Sequence, residues 1–245
     1  HAMLTAACAN KLGMKAILIL KKRGVWQKKG NQILNELLGA DVRFVDTDDY
    51  ADIYAEMDKI AAELAVKGHK SYKIPVGGSV PLGSLGYVQC MDEVAAQVKK
   101  LHVHLDAIVC TAGSGGTCAG VALGAKLFLP GTKVFGICVD TDPFPQIVLD
   151  LMQKAAQLLE LPEPIRESGV TFLDMTGKGY AIPSPAGEAA MLKMARREGI
   201  ILDPVYTGKA FAGLLALIKD GSIHNGQSIL FLHSGGAGGI FALEE

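Results

Sequence analysis

The segment from Thr111 to Thr117, Thr-Ala-Gly-Ser-Gly-Gly-Thr, combines residue types that bind anions. Its glycines let the backbone approach a ligand closely, and its serine and threonines add hydroxyl donors. An Ala/Leu-rich stretch typical of a helix follows. The N-terminus of a helix offers unpaired N–H groups and the positive end of the helix dipole. The pattern predicts an anion cradle (residues 111–117), most plausibly for a phosphate. The residues alone leave a second interpretation open, which is a tight turn that binds nothing.

A second glycine-rich segment, Ser234-Gly-Gly-Ala-Gly-Gly, follows an apolar run near the C-terminus. Neither segment has the Gly-x-Gly-x-x-Gly spacing and downstream acidic residue that bind dinucleotides, and no Walker lysine follows the first. No cluster of Cys, His and Asp has the spacing of a metal site, so no metal is predicted. Two glycine-rich turns that each follow a strand predict a pocket at the carboxyl ends of a parallel sheet.

Apolar runs alternate with helical periodicities along the chain, which is typical of an α/β fold with parallel sheets flanked by helices. Strands are predicted at 16–20, 42–45, 105–110, 133–139, 170–175 and 228–233. Helices are predicted at 1–12, 31–38, 50–66, 87–100, 118–129, 144–160 and 185–198, and a last one reaches about 219 with Thr207 as its cap. The Gly- and Pro-rich segment 72–86 predicts a crossover between a smaller lobe, 1–72, and a larger lobe, 73–245.

The composition suits an enzyme-like globule, since 49% of the 245 residues are hydrophobic, 20% are charged and the net charge is −1. Basic residues are spread along the chain, which argues against nucleic acid as a partner, and no apolar run is long enough to cross a membrane. The cluster Lys21, Lys22 and Arg23 is interpreted as a solvated strand end. Five cysteines without a Cys-x-x-Cys pair predict reduced thiols in a cytoplasmic protein.

Six motifs are spread over nearly the whole chain: His1-Ala-Met-Leu-Thr-Ala-Ala, Ile74-Pro-Val-Gly-Gly-Ser, Leu82-Gly-Ser-Leu-Gly-Tyr, Thr111-Ala-Gly-Ser-Gly-Gly-Thr, Leu202-Asp-Pro-Val-Tyr-Thr-Gly-Lys-Ala and Leu230-Phe-Leu-His-Ser-Gly-Gly. In this order they resemble the pyridoxal-phosphate enzymes of the tryptophan-synthase-β-like fold. Within that fold they resemble the branch of D-cysteine desulfhydrase and 1-aminocyclopropane-1-carboxylate (ACC) deaminase. The fifth motif is far more specific than either glycine-rich turn. The resemblance implies pyridoxal 5'-phosphate as cofactor, a two-lobed α/β fold and a homodimer.

The resemblance also implies the site residues. Those that bind the cofactor in the anion cradle are Ala112, Gly113, Ser114, Gly115, Gly116 and Thr117. Tyr206 matches a tyrosine near the substrate, and Tyr180 matches a second active-site tyrosine. Thr207 stands where ACC deaminases carry a glutamate that faces the pyridine nitrogen of the cofactor. Ser234 occupies a hydroxyl-bearing position of the desulfhydrases. Lys209 is expected to be a surface or phosphate-side lysine.

A neutral hydroxyl stabilises a protonated pyridine ring less than a carboxylate would, which favours β-elimination over the opening of a cyclopropane ring. The resemblance therefore implies a D-cysteine desulfhydrase-like lyase that converts a small amino-acid substrate to pyruvate, ammonia and sulfide. Three alternatives stay open: ACC deaminase, a lyase for another β-substituted amino acid such as cysteate, and a ligand-binding protein without catalysis.

Two departures from the family pattern accompany the resemblance. The family's cofactor-binding lysine and a Gln-Ser-Asn motif lie upstream of the position that matches His1, so a leading segment is expected to precede this sequence. Val80 stands where desulfhydrases often have asparagine, which bears on the choice of substrate and leaves the choice of cofactor unchanged.

Overall fold

A computed structural model describes residues 1–22 and 28–242, and it divides into two compact units. The first comprises His1–Pro75 and the segment from Gly238 onward, and the second comprises Val76–Ala237. The boundary near residue 75 lies inside the predicted crossover. The C-terminal segment differs from the prediction, which assigned it to the larger lobe. It joins the first unit because Gly238 lies against Asn31 and Ala242 lies against Gly30.

The first unit is a small α/β layer. Its elements are α1 (Ala2–Lys11), β1 (Ile17–Lys21), α2 (Asn31–Leu37), β2 (Asp41–Val45) and α3 (Tyr50–Val66). Strands β1 and β2 are parallel, with Ile17 opposite Asp41 and Lys21 opposite Val45. Arg23, in the predicted strand end, lies outside the described residues. Helix α3 has the predicted bounds, and the side chain of Asp49 caps it by accepting a hydrogen bond from the N–H of Ala51.

The second unit is a four-stranded parallel sheet covered by helices. Its elements are α4 (Pro81–Leu101), β3 (Ala107–Ala112), α5 (Gly116–Phe128), β4 (Lys133–Cys138), α6 (Phe144–Leu158), β5 (Val170–Asp174), α7 (Pro185–Glu198), α8 (Thr207–Lys219) and β6 (Ile229–Phe231). The strand order is β5-β4-β3-β6, and all three pairings are parallel. The predicted fold class, parallel sheets flanked by helices, is confirmed.

Strand β3 is the centre of the second unit, and all six of its residues are buried. Ile108, Cys110 and Ala112 face a core formed with helices α4, α5 and α6, while Ala107 and Val109 face a second core that includes α8. Burial on both faces is typical of a central parallel strand. The strand order reverses at β3, with β4 on one side and β6 on the other, so the carboxyl ends of β3 and β6 lie at the position where parallel sheets commonly bind ligands.

Helix α4 begins at Pro81, whereas the sequence analysis began it at Tyr87. Proline is favoured in the first turn of a helix because the N–H that it lacks would have no partner there. Glycines 83 and 86, which the sequence analysis placed in the crossover segment, lie inside this helix.

Helices α4 and α5 pack closely against each other in the second unit. A Cβ on Gly120 of α5 would lie 2.6 Å from the Cβ of Tyr87 and would also overlap the carbonyl oxygen of Ser84. A Cβ on Gly124 would lie 2.6 Å from the Cβ of Met91. Glycine at both positions is therefore what lets the two backbones pack so tightly. Within the described ranges, no helix has the length and apolarity that a membrane span requires.

Candidate active site

The anion cradle connects the carboxyl end of β3 to the N-terminus of α5. Gly115 has φ +87°, a left-handed conformation that side chains other than glycine rarely adopt, and it lets the chain turn directly into the helix at Gly116. The first N–H groups of an α-helix have no partner within the helix. One of them, on Gly116, donates to the hydroxyl oxygen of Ser79 over 3.1 Å.

Ser79 comes from a separate segment of the chain. Its hydroxyl also bonds the hydroxyl of Ser114 over 2.8 Å. Gly77, with φ +68°, makes this approach possible because a Cβ there would lie 2.8 Å from the Cβ of Ser114. Ser79 belongs to the Gly-Gly-Ser motif, but no role is predicted for it from the sequence. The two glycines that precede Ser79, just before helix α4, are the sequence feature that could have indicated its place in the anion cradle.

The chemistry of these donors fits a phosphate. The site presents helix N–H groups, the positive end of the α5 dipole and the hydroxyls of Ser79, Ser114 and Thr117. The hydroxyl of Thr117 makes no hydrogen bond within residues 1–22 and 28–242. The Thr111 hydroxyl oxygen at the end of β3 is buried, and it too has no hydrogen-bond partner in that part of the chain. A bound anion would satisfy donors that the described residues leave available.

The two predicted tyrosines lie together beside the anion cradle. The hydroxyls of Tyr180 and Tyr206 are hydrogen-bonded to each other, and their rings meet edge to face with centroids 5.9 Å apart. A Cβ on Gly113 would lie 3.2 Å from Cε1 of Tyr206, so the ring of Tyr206 packs directly against the turn. The structure therefore brings Gly113, Tyr180 and Tyr206 into one cluster.

Thr207 is fully buried, and its hydroxyl is occupied by Asp203. It donates to Oδ1 of Asp203 over 2.6 Å and accepts from the N–H of Asp203 over 2.8 Å. The prediction that Thr207 caps helix α8 is wrong, because Thr207 is the first residue of that helix and the carboxylate of Asp203 takes the capping role. That carboxylate accepts hydrogen bonds from the N–H groups of Val205, Tyr206 and Thr207. Its position holds Tyr206 at the start of the helix.

Ser234 begins the second glycine-rich turn, three residues after the end of β6, and it is exposed. Strands β3 and β6 are neighbours, with Val109 opposite Phe231, so both glycine-rich turns emerge at the same edge of the sheet. A Cβ on Gly236 would lie 2.6 Å from the carboxylate of Asp203, which brings the second turn close to the start of α8. The hydroxyl of Ser234 makes no hydrogen bond within the described ranges.

Lys209 is not a surface residue, and that alternative of the sequence analysis is wrong. Its exposed fraction is 0%, and its ammonium donates to the carbonyl oxygens of Thr176 over 2.7 Å and of Gly179 over 3.0 Å. Burial lowers the pKa of this ammonium, while Asp140 and Asp174 act in the opposite direction. Single-sequence reasoning assigns a lysine to the surface by default, since lysine is rarely buried without a partner.

Comparisons with known proteins give the family of this chain. A protein from Pyrococcus horikoshii named "Putative 1-aminocyclopropane-1-carboxylate deaminase" is 40% identical over 247 residues, covering 98% of this chain and 72% of its own. D-Cysteine desulfhydrase from Klebsiella pneumoniae is 36% identical over 250 residues, covering 99% of this chain and 74% of its own.

A crystal structure described as an ACC deaminase homologue is 38% identical and superimposes with a TM-score of 0.89, covering 99% of this chain and 72% of its own. The family of pyridoxal-phosphate-dependent enzymes matches residues 1–235. A cradle of helix N–H groups and hydroxyls for a phosphate, together with a match that spans both units, shows that the chain belongs to the family of pyridoxal-phosphate-dependent enzymes.

Proposed function

We propose that this protein is a lyase that eliminates the β-substituent of a small amino acid, with D-cysteine desulfhydrase-like chemistry. For D-cysteine, the reaction consumes water and releases pyruvate, ammonia and hydrogen sulfide. The observation that carries the proposal is the hydrogen-bonded hydroxyl pair of Tyr180 and Tyr206 beside Gly113. It puts two groups capable of proton transfer next to a turn suited to a phosphate.

The chain's own residues divide the work between binding and proton transfer. The N–H groups at the start of α5 and the hydroxyls of Ser79, Ser114 and Thr117 would hold the phosphate of the cofactor. Pyridoxal phosphate bound there supplies a conjugated ring that withdraws electrons from the substrate Cα. One tyrosine hydroxyl donates to the other, so the pair can keep a proton on the oxygen nearer the substrate and deliver it to the leaving group.

The choice of elimination over ring opening depends on positions 207 and 234. Thr207 carries no charge, and its hydroxyl is committed to Asp203. Ser234 presents a neutral hydroxyl at the same edge of the sheet. A site without a carboxylate at position 207 stabilises a protonated pyridine nitrogen less, which suits the loss of a good leaving group such as sulfide better than the breaking of a carbon–carbon bond.

The test is turnover by the full-length protein reconstituted with pyridoxal phosphate. D-Cysteine, L-cysteine, cysteate and ACC are offered separately, and the products identify the reaction. Cysteine gives pyruvate and sulfide, cysteate gives pyruvate and sulfite, and ACC gives 2-oxobutyrate without either sulfur product. We expect pyruvate and sulfide from D-cysteine. Release of 2-oxobutyrate from ACC alone would contradict the proposal and favour the deaminase, the activity named for the Pyrococcus relative.

A second test addresses the tyrosine pair. We expect Tyr206→Phe and Tyr180→Phe each to lower kcat by about 10²-fold, a typical contribution of general acid–base catalysis. Binding of pyridoxal phosphate should change little, because the phosphate donors remain. Tyr72→Phe is the matched control, since Tyr72 is 72% exposed. If both site variants keep activity within about threefold of the control, the phenols do not transfer the proton.

A further inference from the structure

Lys209 is a fully buried lysine that the proposed function does not use. Taking an ammonium group out of water is costly unless it is paired or well hydrogen-bonded. Within the described residues, no carboxylate lies close enough to Lys209 to form an ion pair, and the partners of its ammonium are two main-chain carbonyls, those of Thr176 and Gly179. Because the ammonium of Lys209 is buried against these two carbonyls, we ask what the segment that carries them does.

The segment concerned is the turn of residues 175–182, between β5 and α7, and its own backbone holds it weakly. The N–H of Gly179 reaches the carbonyl of Thr176 at 3.4 Å, and the N–H of Ile182 reaches that of Gly179 at 3.3 Å, both beyond the usual length of such bonds. Ala181 has φ +60°, which is an unfavourable conformation for a residue with a Cβ. The start of the turn has other anchors, because the N–H of Met175 donates to Cys138 over 2.9 Å and the hydroxyl of Thr176 donates to Asp140 over 3.0 Å. The bond from Lys209 to the carbonyl of Gly179 therefore matters most for the later part of the turn.

Tyr180 directly follows Gly179, whose carbonyl accepts a hydrogen bond from Lys209. The hydroxyl of Tyr180 bonds that of Tyr206, and Tyr206 immediately precedes the first residue of α8, the helix that carries Lys209. One side chain on α8 thus ties together the two segments that present the two phenols.

We propose that Lys209 is a positioning residue: by holding the carbonyls of Thr176 and Gly179, it fixes the turn so that the hydroxyl of Tyr180 meets that of Tyr206. Lys209 touches neither phenol and acts through the backbone of the turn. The catalytic part of the inference rests on the proposed function, because the phenol pair is assigned to proton transfer there. The geometric part stands independently of which substrate is turned over.

The test compares Lys209→Met, which keeps the length of the side chain and removes all its donors, with Lys219→Met on the exposed end of the same helix. The protein is labelled with 3-fluorotyrosine. The six tyrosines of residues 1–245 give few fluorine resonances, and Tyr180→Phe identifies the resonance of Tyr180. We expect the Tyr180 resonance to shift in Lys209→Met and to stay in place in Lys219→Met. An unshifted resonance in both variants would overturn the proposal, whatever the enzyme's substrate.

Turnover supplies the second readout, through a double-mutant cycle with Tyr180→Phe. We expect Lys209→Met to lower kcat by about tenfold in the natural protein and by less than about twofold when Tyr180 is already phenylalanine. Equal losses in both backgrounds would show that Lys209 supports the fold in general, and would refute the positioning role. If Lys209→Met does not fold, Lys209→Leu, which also lacks a donor and is shorter, replaces it in both measurements. If neither variant folds, Lys209 is a structural residue and the proposal fails.

A protein that turns over none of the offered amino acids refutes the proposed function alone, since the fluorine spectrum still reports whether Lys209 sets the position of Tyr180. Conversely, full turnover with an unshifted Tyr180 resonance refutes only the role of Lys209. The two proposals therefore fail separately.

Discussion

Replacing Gly116 by alanine tests the geometry of the anion cradle most directly. The new Cβ would lie 2.6 Å from the hydroxyl oxygen of Ser79 and 3.0 Å from its Cα. Carbon atoms pack at about 3.5–4.0 Å, so Ser79 and its backbone have to move. The hydrogen bond from the N–H of Gly116 to Ser79 is lost with that movement, at a cost of about 1 kcal/mol.

Overpacking adds about 1–3 kcal/mol, and the higher helix propensity of alanine returns at most about 1 kcal/mol. We therefore expect Gly116→Ala to lower the free energy of unfolding by about 1–3 kcal/mol. The affinity for pyridoxal phosphate should fall by about tenfold or more, since tenfold corresponds to about 1.4 kcal/mol and two hydroxyl donors are displaced.

The matched control is Gly86→Ala, in the exposed middle of α4, where a Cβ would meet no atom within 4 Å. This variant should gain about 0.5–1 kcal/mol, because alanine loses less backbone entropy than glycine in a helix. Urea unfolding monitored by circular dichroism gives both stabilities, and absorbance titration gives the cofactor affinity. The reasoning is refuted if Gly116→Ala is as stable as Gly86→Ala and binds pyridoxal phosphate equally well.

Three further outcomes follow from the same structure. Asp203→Ala should destabilise the protein by about 3 kcal/mol in urea unfolding, because the buried N–H of Thr207, two partly buried N–H groups and the Thr207 hydroxyl lose their acceptor; a loss below about 1 kcal/mol would refute the capping role. Gly120→Ala should cost about 1–3 kcal/mol in the same assay, since its Cβ would clash with the backbone of α4, and a neutral result would argue against the close helix contact. Burial and the charge of Asp174 raise the pKa of Cys138 from 9.0 to about 11. Its thiolate fraction at pH 9 is therefore about one hundredth, so iodoacetamide should label it far more slowly than the exposed Cys8 until the pH approaches 11. Because the neutral thiol is the favoured form in the folded state, the stability linked to Cys138 is present below pH 9 and is lost as the pH rises through about 11. Rapid labelling at pH 9 in the folded protein would contradict that shift.

The sequence predicted the framework of the anion cradle well, because its signals are local. An apolar run, a glycine-rich turn and an Ala/Leu-rich helix follow one another within residues 105–129, and the structure has a strand, a turn and a helix in that order. The bounds of α3 and α7 were likewise predicted because each begins and ends at strong local signals, such as Ser184 before Pro185 and Gly199 after Glu198.

Features formed by contacts between distant segments were missed. Ser79 lies 35 residues before Ser114, so nothing near either residue indicates their hydrogen bond. Lys209 was assigned to the surface as one possibility because its burial depends on two carbonyls about 30 residues earlier in the chain. The start of α4 was missed for a different reason: Gly83 and Gly86 are poor helix formers, and tertiary packing outweighs that preference.

The close contact between α4 and α5, at Gly120 and Gly124, has a consequence for the geometry of the anion cradle. Ser79 lies two residues before α4, and Gly116 begins α5. The two helices that meet at Gly120 and Gly124 therefore help to set the distance between the partners of the hydrogen bond from Gly116 to Ser79. A methyl group at Gly120 or Gly124 would move α4 and α5 apart and would lengthen the hydrogen bond from Gly116 to Ser79. The spacing of the donors in the anion cradle is therefore set partly by residues that lie outside it.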